Sequence, residues 1–371
     1  MRALTVLLLL LGGTVLTSGC SDSSVLGPEE EQAALTGEPA QSSAAAGVAI
    51  VTRNLYVGTD VDAVISALAT EDSEDDLPAL FQAVELLQRT DFPSRAGAIA
   101  DEIARARPHA VGLQEVSQID LTLPPLGVDI HQDFLTTLLA ELKNRGLGYE
   151  VAAQIKNIEA APFPGVSLVD FDVLLVDTDR VEVNATDAQN FTANLGQVAP
   201  GVVLKRGWVT ASVTIQGVEL TLASTHLESG NLPGLSGLRA LQAQELAGSL
   251  NRAAPTVLVG DLNDTPGSPM YQVLLNAGFI DAWTALRPGV MGNSCCHSAD
   301  LSNQVADLTQ RIDYVFARGL EQAHGEVLGR VELLGEVPAD RRPGLDIWPS
   351  DHAGLAAELR FPSAGSSVAR H

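Results

Sequence analysis

Short apolar runs, most of them rich in β-branched residues, recur along the chain and are broken by polar segments at intervals that suit strands. The first is Gly47-Val48-Ala49-Ile50-Val51-Thr52-Arg53-Asn54-Leu55, a pattern fitting a buried strand. Ala110–Leu113, Val166–Val176, Val202–Ile215, Val218–Ser224, Thr256–Val259, Ile312–Phe316, Val327–Leu334 and Leu355–Leu359 repeat it. Helical spacing fills some of the gaps. Pro93–Arg107 predicts a helix opened by a first-turn proline, with Ile99, Ile103 and Ala106 on one face. Ile130–Arg145 predicts a second amphipathic helix and Leu238–Leu250 a third, while Ser268-Pro269 caps a short one over Met270–Leu275. The strands outnumber what one parallel sheet needs, and the helices do not alternate strictly with them, so two packed sheets with helices outside fit best. No internal repeat is visible.

The polar residues that end these runs change the picture from fold to chemistry. Gln114-Glu115, Ser224-Thr225-His226-Leu227, Gly260-Asp261-Leu262-Asn263, Arg311-Ile312-Asp313-Tyr314 and Trp348-Pro349-Ser350-Asp351-His352 each set a carboxylate, carboxamide or imidazole at or near the end of an apolar run. Segments far apart in sequence can thus converge on one polar pocket. Carboxylates and carboxamides are hard oxygen ligands, the kind that hold magnesium, manganese or calcium. Glu115 is the foremost ligand candidate, Asn54 can hold an ion or its water through its side-chain oxygen, and Asp351 is the third. Taken singly, Glu115 also reads as a solvated strand end, and Asn54 as a turn or cap residue. Alternation puts Asp261 and Asn263 on one side of an extended segment, able to hold an attacking water and a phosphate oxygen together. A plain turn rich in Asp and Asn is the equal alternative. His226 and His352 can stabilise charge growing on phosphoryl oxygens or protonate a leaving group. Asp313 suits the orienting of one of these rings, against a simple ion pair with Arg311. Arg206-Gly207-Trp208 offers a phosphate-binding cation and a stacking ring, against a strand carrying a half-buried tryptophan.

In this order, Asn54, Gln114-Glu115, Thr225-His226-Leu227, Gly260-Asp261-Leu262-Asn263, Arg311-Ile312-Asp313-Tyr314 and Ser350-Asp351-His352 resemble the endonuclease/exonuclease/phosphatase superfamily. That group includes secreted DNases of the DNase I type, abasic-site endonucleases, bacterial sphingomyelinases and inositol polyphosphate 5-phosphatases. The similarity runs from about Ala49 to Leu359. It implies an α/β fold, a DNase I-like four-layered α/β/β/α sandwich of two mixed sheets, with the site at the rim between them. It further implies that Glu115 binds a divalent ion, Mg2+ or else Mn2+ or Ca2+, with Asn54 and Asp351 assisting. Asp261 would activate or orient the water, Asn263 would position it or the phosphate, His226 and His352 would contact phosphoryl oxygens, and Asp313 would orient His352. Asp170-Phe171-Asp172-Val173-Leu174 stands where the family often has Gly-x-Ala or Gly-x-Gly, which makes Asp172 a candidate substrate or ion contact. Asn157 and Asp172 are the candidate partners of His226.

Charge narrows the substrate. The chain of 371 residues carries a formal charge of −24, a pI near 4.5 and only three lysines, so no basic stripe is available to grip a polyanion. Recognition of a phosphate through a metal remains open. Arg2, the apolar stretch Leu4–Leu11 and Thr17-Ser18-Gly19-Cys20 read as a bacterial export signal and resemble a lipoprotein signal in which Cys20 is lipidated. Leu16 departs from that pattern, with Thr17 in the place the leucine usually holds; an ordinary signal peptide is the alternative, and both readings export the protein. Residues 1–20 are thus expected to be the signal, 21–46 a flexible tether, 47–361 the catalytic domain and 362–371 a frayed tail. Cys295 and Cys296 then remain, as free thiols, as an interchain pair or as a ring clasping a loop, with the clasp preferred and a zinc site disfavoured by the spacing. The whole reads as an exported, monomeric, divalent-metal-dependent phosphoester hydrolase, bound to membrane through Cys20 and acting on nucleic acid, nucleotide or lipid headgroup. A lipid-headgroup phosphodiesterase of the sphingomyelinase type and a non-catalytic surface binding protein on the same scaffold are the alternatives.

Overall fold

The computed structural model describes residues 45–70, 74–124, 127–342 and 344–362. Cys20, the signal-like stretch, nearly all of the expected tether and the tail beyond Pro362 lie outside them. Among the described residues no helix is long and apolar enough to cross a membrane.

Two sheets carry the fold. One runs in the order β16 (Gly329–Leu334), β17 (Gly354–Phe361), β1 (Ala46–Asn54), β2 (Ala110–Leu123), β5 (Val166–Asp177), β4 (Tyr149–Ala160), β8 (Val202–Leu204) and β7 (Gly196–Ala199), with β3 (Val128–Asp133) also paired to β2. The other runs β12 (Ile280–Asp281), β13 (Asp313–Arg318), β11 (Thr256–Asp261), β10 (Val218–His226), β9 (Gly207–Ile215) and β6 (Glu182–Asn190). A small hairpin joins β14 (Gln322–Ala323) to β15 (Glu326–Val327).

Period-two alternation explains how they stack. Val48 and Ile50 of β1 and Leu174 and Val176 of β5 face Val209, Ala211, Leu220, Leu222, Val257, Val259 and Val315 of the second sheet in one buried cluster. The intervening residues Val51, Val173 and Leu175 face the other way. There they meet α2 (Asp76–Thr90), α3 (Phe92–Ala106) and α4 (Phe134–Asn144), next to α1 (Val61–Leu68). On the far side, Ala223, Leu258 and Phe316 pack under α5 (Leu235–Ser249) and α6 (Pro269–Asn276), while the short α7 (Ala282–Leu286) packs by Ala282 and Trp283 into the inter-sheet core. This is the four-layered α/β/β/α sandwich that the resemblance implies. Close approach of the sheets is marked at Gly112, where a Cβ would lie 2.5 Å from Val259 Cγ2 and 2.7 Å from Ser224 Oγ.

Some expected boundaries move. Ile130 to Asp133 belong to a strand and not to the expected helix, which starts at Phe134 after the Asp133 side chain accepts from Thr136 N at 2.9 Å. The run Val202–Ile215 splits into two strands of different sheets around Lys205-Arg206.

The register brings the chemistry to one rim. β1 and β2 are parallel with Asn54 opposite Gln114, and β10 and β11 are parallel with His226 opposite Asp261. β13 runs antiparallel to β11 with Asp313 opposite Asp261. β17 starts beside the end of β1, so the segment before it, with Asp351 and His352, crosses the same edge.

Candidate functional site

A cleft of about 350 Å³ opens at this rim, lined among others by Glu115, Asp170, Arg206, His226, Asp261, Asn263, Asp351 and His352. Glu115 enters it because of a β-bulge. The pairing of β2 with β5 slips between Leu113 and Val116, and Glu115 sits at φ 57°, a left-handed conformation rare for a residue with a Cβ. The bulge turns the carboxylate out of the alternation: Oε1 accepts from Asn54 Nδ2 at 2.9 Å and Oε2 from Val57 N at 2.8 Å.

Asn54 ties the two sheets together. Its Nδ2 also donates to Asp261 Oδ2 at 3.2 Å, and its Oδ1 accepts from Tyr56 N at 2.9 Å. The expectation that its oxygen faces an ion is therefore corrected: it is the amide nitrogen, bridging two carboxylates, that points to the acids. Asp261 is fully buried and accepts from Asn263 N at 2.9 Å. Its Oδ2 lies 3.5 Å from His226 Nε2 and 3.8 Å from His352 Nε2.

The two imidazoles are held in opposite states. His352 Nδ1 is 2.8 Å from Asp313 Oδ2, which leaves Nε2 facing the cleft. Burial alone would lower its pKa, but the charges of Asp313, Asp351 and Asp261 outweigh it and hold the ring well above the ordinary value, as an imidazolium. Burial, then Arg206 and His352, push His226 well below the ordinary value, so that ring is neutral. Arg206 Nη1 donates to its Nδ1 at 3.1 Å, and the carboxamide of Asn263 lies 2.9 Å from Nε2. Arg311 pairs with Asp281 at 2.7 Å, so Asp313 serves His352 and not Arg311.

The carboxylates crowd one another. Burial first, then Asp351, raises Glu115 to about 7; burial first, then Asp313, raises Asp261 to about 7; burial first, then Glu115, raises Asp170 to about 7. Asp351 is raised too, burial again the largest cause. Such a surplus of buried negative charge is what a divalent cation relieves, and the donors are the hard oxygens that such ions take. Asp261, Asp313 and His352 also bring ligand atoms within 4.8 Å of one another.

Two expected contacts sit elsewhere. Asp172 is fully buried behind His226, its Oδ1 4.0 Å from Nδ1, and it is Asp170 that reaches the cleft wall. Both lie on the same side of β5, so the alternation held the signal for Asp170 while the comparison with Gly-x-Ala drew attention two residues on. Of the candidate partners of His226, Asp172 stands near but Arg206 makes the closer contact, and Asn157 is fully buried away from the cleft wall. Arg206 is buried, with Nε 3.4 Å from Glu228 Oε1, and Trp208 is a core residue packed on Phe191 with ring centroids 4.9 Å apart. No stacking ring stands at the mouth from that strand. Sequence reading missed Ser294, whose Oγ accepts from the backbone N of Ile312 at 3.2 Å and of Asp313 at 3.1 Å; an isolated serine in a loop carries no signal for this.

A family model described as the Endonuclease/Exonuclease/phosphatase family matches residues 81–352. Among solved structures, the chain is similar to an endonuclease/exonuclease/phosphatase from Beutenbergia cavernae DSM 12333, with a TM-score of 0.54, 20% identity, and coverage of 85% of this chain and 72% of that one. A family protein from Leptotrichia buccalis C-1013-b gives a TM-score of 0.54 at 16% identity, over 85% of this chain and 100% of that one. One from Bacteroides vulgatus gives 0.50 at 17% identity, over 85% and 99%. None of the curated proteins matches.

Proposed function

Because the chain belongs to the endonuclease/exonuclease/phosphatase family, a family of phosphoester hydrolases, we propose that it is an exported, divalent-metal-dependent enzyme that attacks the phosphorus of a phosphodiester with water. The observation that carries this reading is one cleft holding Glu115, Asp261 and Asp351 together with the Asp313–His352 pair.

The acids fit a hard divalent ion, with Glu115 and Asp351 as the residues that would hold it and Asn54 fixing the orientation of Glu115. Once bound, such an ion polarises the phosphoryl oxygens and offsets the charge that grows on them. The protein's own groups do the rest. Asp261, with a pKa near 7, is poised to accept the proton of the attacking water. Asn263 holds that water or a phosphoryl oxygen in place. His352, charged and aimed by Asp313, donates to an oxygen of the phosphoryl group, and neutral His226, with Arg206 behind it, donates through Nε2. Export rests on the Arg2, Leu4–Leu11 and Cys20 pattern.

A lipid-headgroup phosphodiester is the second reading, favoured by one observation. An apolar pocket of about 70 Å³ lies under α1 and α2, lined by Ile65, Leu68, Leu80, Leu87 and Phe163, and it shares Thr59 and Val61 with the cleft, so an apolar group of the substrate would find apolar wall beside the acids.

Hydrolysis of a chromogenic phosphodiester with magnesium tests the first reading. EDTA and Glu115→Gln are each expected to abolish turnover, and full turnover under either would end it. Parallel assays on plasmid DNA, nucleotides, inositol phosphates and sphingomyelin then separate the substrates.

A further inference from the structure

We propose that opening the Cys295–Cys296 disulfide creates a soft-cation site, made of the two sulfurs and Nε2 of His352, that takes a thiophilic divalent ion such as cadmium or zinc and withdraws His352 from catalysis. The inhibitory part rests on the phosphoester hydrolase reading; the binding part does not.

The two cysteines are bonded to each other and both line the cleft. Cys296 Sγ lies 4.0 Å from His352 Nε2, and ligand atoms of Cys295, Cys296 and His352 all fall within 4.8 Å of one another. His352 is prepared for such a role. Its Nδ1 is held by Asp313 at 2.8 Å, the outer partner that metal-bound histidines characteristically have, and this fixes the direction of Nε2.

The backbone that carries the two sulfurs does not depend on their bond to stay in place. Cys295 is buried, and its backbone is held by Gln310 through Cys295 N to Gln310 O at 3.0 Å and Gln310 N to Cys295 O at 2.9 Å, with Thr309 N donating to the same oxygen at 2.7 Å. On either side, Ala353 N donates to Ser294 O at 2.7 Å and His297 N to Asp351 O at 2.8 Å. The dicysteine segment is thus zipped to the segment that carries His352. Cys296 is exposed, so reductant and cation can reach it.

The donor set selects the ion. Two thiolates and an imidazole favour soft or borderline cations, whereas the carboxylates across the cleft favour magnesium, so one cleft offers two chemically distinct stations. A dithiol reductant supplies two electrons and two protons; the sulfur–sulfur bond breaks, each sulfur becomes a thiol, and the reductant closes its own disulfide. The incoming cation displaces both thiol protons and the proton on Nε2 to solvent, and accepts the three electron pairs.

The test uses the full chain, reduced with dithiothreitol, desalted, and titrated with cadmium in excess magnesium. Thiolate-to-cadmium absorption and calorimetry read binding, and initial rates on the chromogenic phosphodiester read activity. One cadmium per reduced chain is expected, with hydrolysis falling in step with occupancy, while the oxidised chain shows neither. Cys296→Ser, and separately alkylation of the reduced wild type, should weaken cadmium binding by more than the about 10- to 100-fold that losing an outer-shell partner costs. Equal binding by the oxidised and reduced chains, or by reduced wild type and Cys296→Ser, overturns the site. Binding that leaves hydrolysis untouched overturns the capture of His352. Binding by the reduced chain alone, with no hydrolysis in any form, upholds the site and sinks the hydrolase reading instead.

Discussion

Two groups of buried charge lie against opposite sides of the end of β1, and they are treated in opposite ways. Behind the cleft, Arg95 is fully buried and spends its guanidinium on four carbonyls: Thr90 O at 2.7 Å, Leu55 O at 2.6 Å, Tyr56 O at 2.9 Å and Pro349 O at 3.0 Å. Arg53, also buried, pairs with Glu102 at 3.1 Å and donates to His352 O. In the cleft, by contrast, the acids outnumber their partners. Burial drives Glu102 to a pKa of about 7 just as it does Glu115, Asp170 and Asp261, but the next cause for Glu102 is Arg53, which lowers it, whereas for each cleft acid it is a neighbouring carboxylate, which raises it further. A charge whose partners are complete holds loops in position; a charge left in surplus is available to an ion or a substrate. The arginines brace from behind the segments 349–352 that the cleft uses from the front.

The sharpest separation of the two groups is kinetic. Asp261→Asn keeps the shape but removes the proton acceptor, so kcat/KM should fall by about 10²–10⁴-fold, while the melting temperature holds or rises because one like charge has gone. A loss of several degrees in melting would place Asp261 with the scaffold and break the comparison. Arg95→Met should do the reverse. Four buried carbonyls lose a charged donor, and unfolding free energy should drop by about 3–5 kcal/mol in a urea titration. A drop below about 1 kcal/mol would mean the carbonyls find water, and the buttress would be dispensable.

How much of this the chain announces differs between the two groups. Glu115, Asp261, Asp351 and the two histidines are legible because each follows or ends an apolar run, and the strands place those ends together; Asp170 is not, because it sits inside a run with Asp172 two residues on. The buttress was not legible, since nothing in Arg53 or Arg95 distinguishes a buried arginine from a surface one before the loops are folded around it. The apolar run of β2 stops at Leu113, yet the strand continues to Leu123, because the bulge at Glu115 looks in sequence like a strand end. β6 was missed altogether: Glu182–Asn190 is exposed along its whole length, so no apolar alternation marks it as an edge strand. The Asn54 amide was assigned by residue type, and only the backbone turn at Tyr56 decides which of its atoms faces the acids.

The surplus acids should also show themselves in how stability follows pH. Asp170 is buried, takes one bond from Ser117 Oγ at 2.9 Å, and has a folded pKa of about 7 against an ordinary carboxylate value near 4 in the unfolded chain. A raised folded pKa means the folded state binds the proton more tightly, so this group's contribution is fully present below the unfolded pKa and is lost as pH rises through about 7. Asp170→Asn removes that loss. In EDTA, the variant should match wild type below about pH 4 and exceed it increasingly as pH rises, by about 4 kcal/mol near pH 8. A gap that does not widen with pH would show that Asp170 is already compensated and belongs with the arginines.

Ser350 tests the join between the two groups, because its hydroxyl serves both. Oγ donates to Asn54 O at 2.8 Å, on the strand that carries the bridging amide, and accepts from His352 N at 3.2 Å, on the segment that Arg53 and Arg95 brace. Ser350→Ala removes both bonds, together with the longer 3.4 Å contact from Oγ to Asp351 Oδ1, without adding bulk or charge. Each of the two is a neutral hydrogen bond in a buried place, so the stability cost should be about 1–2 kcal/mol, less than for Arg95. If the arginines alone set the position of His352, kcat and KM stay at wild-type values and only the melt changes. If the hydroxyl also sets the aim of the ring, kcat should fall while KM stays constant, as for an interaction felt only in the transition state. The double variant with Asp261→Asn then decides between them: additive losses mean Ser350 is scaffold, whereas a loss no larger than that of Asp261→Asn alone means both residues act on the same catalytic step.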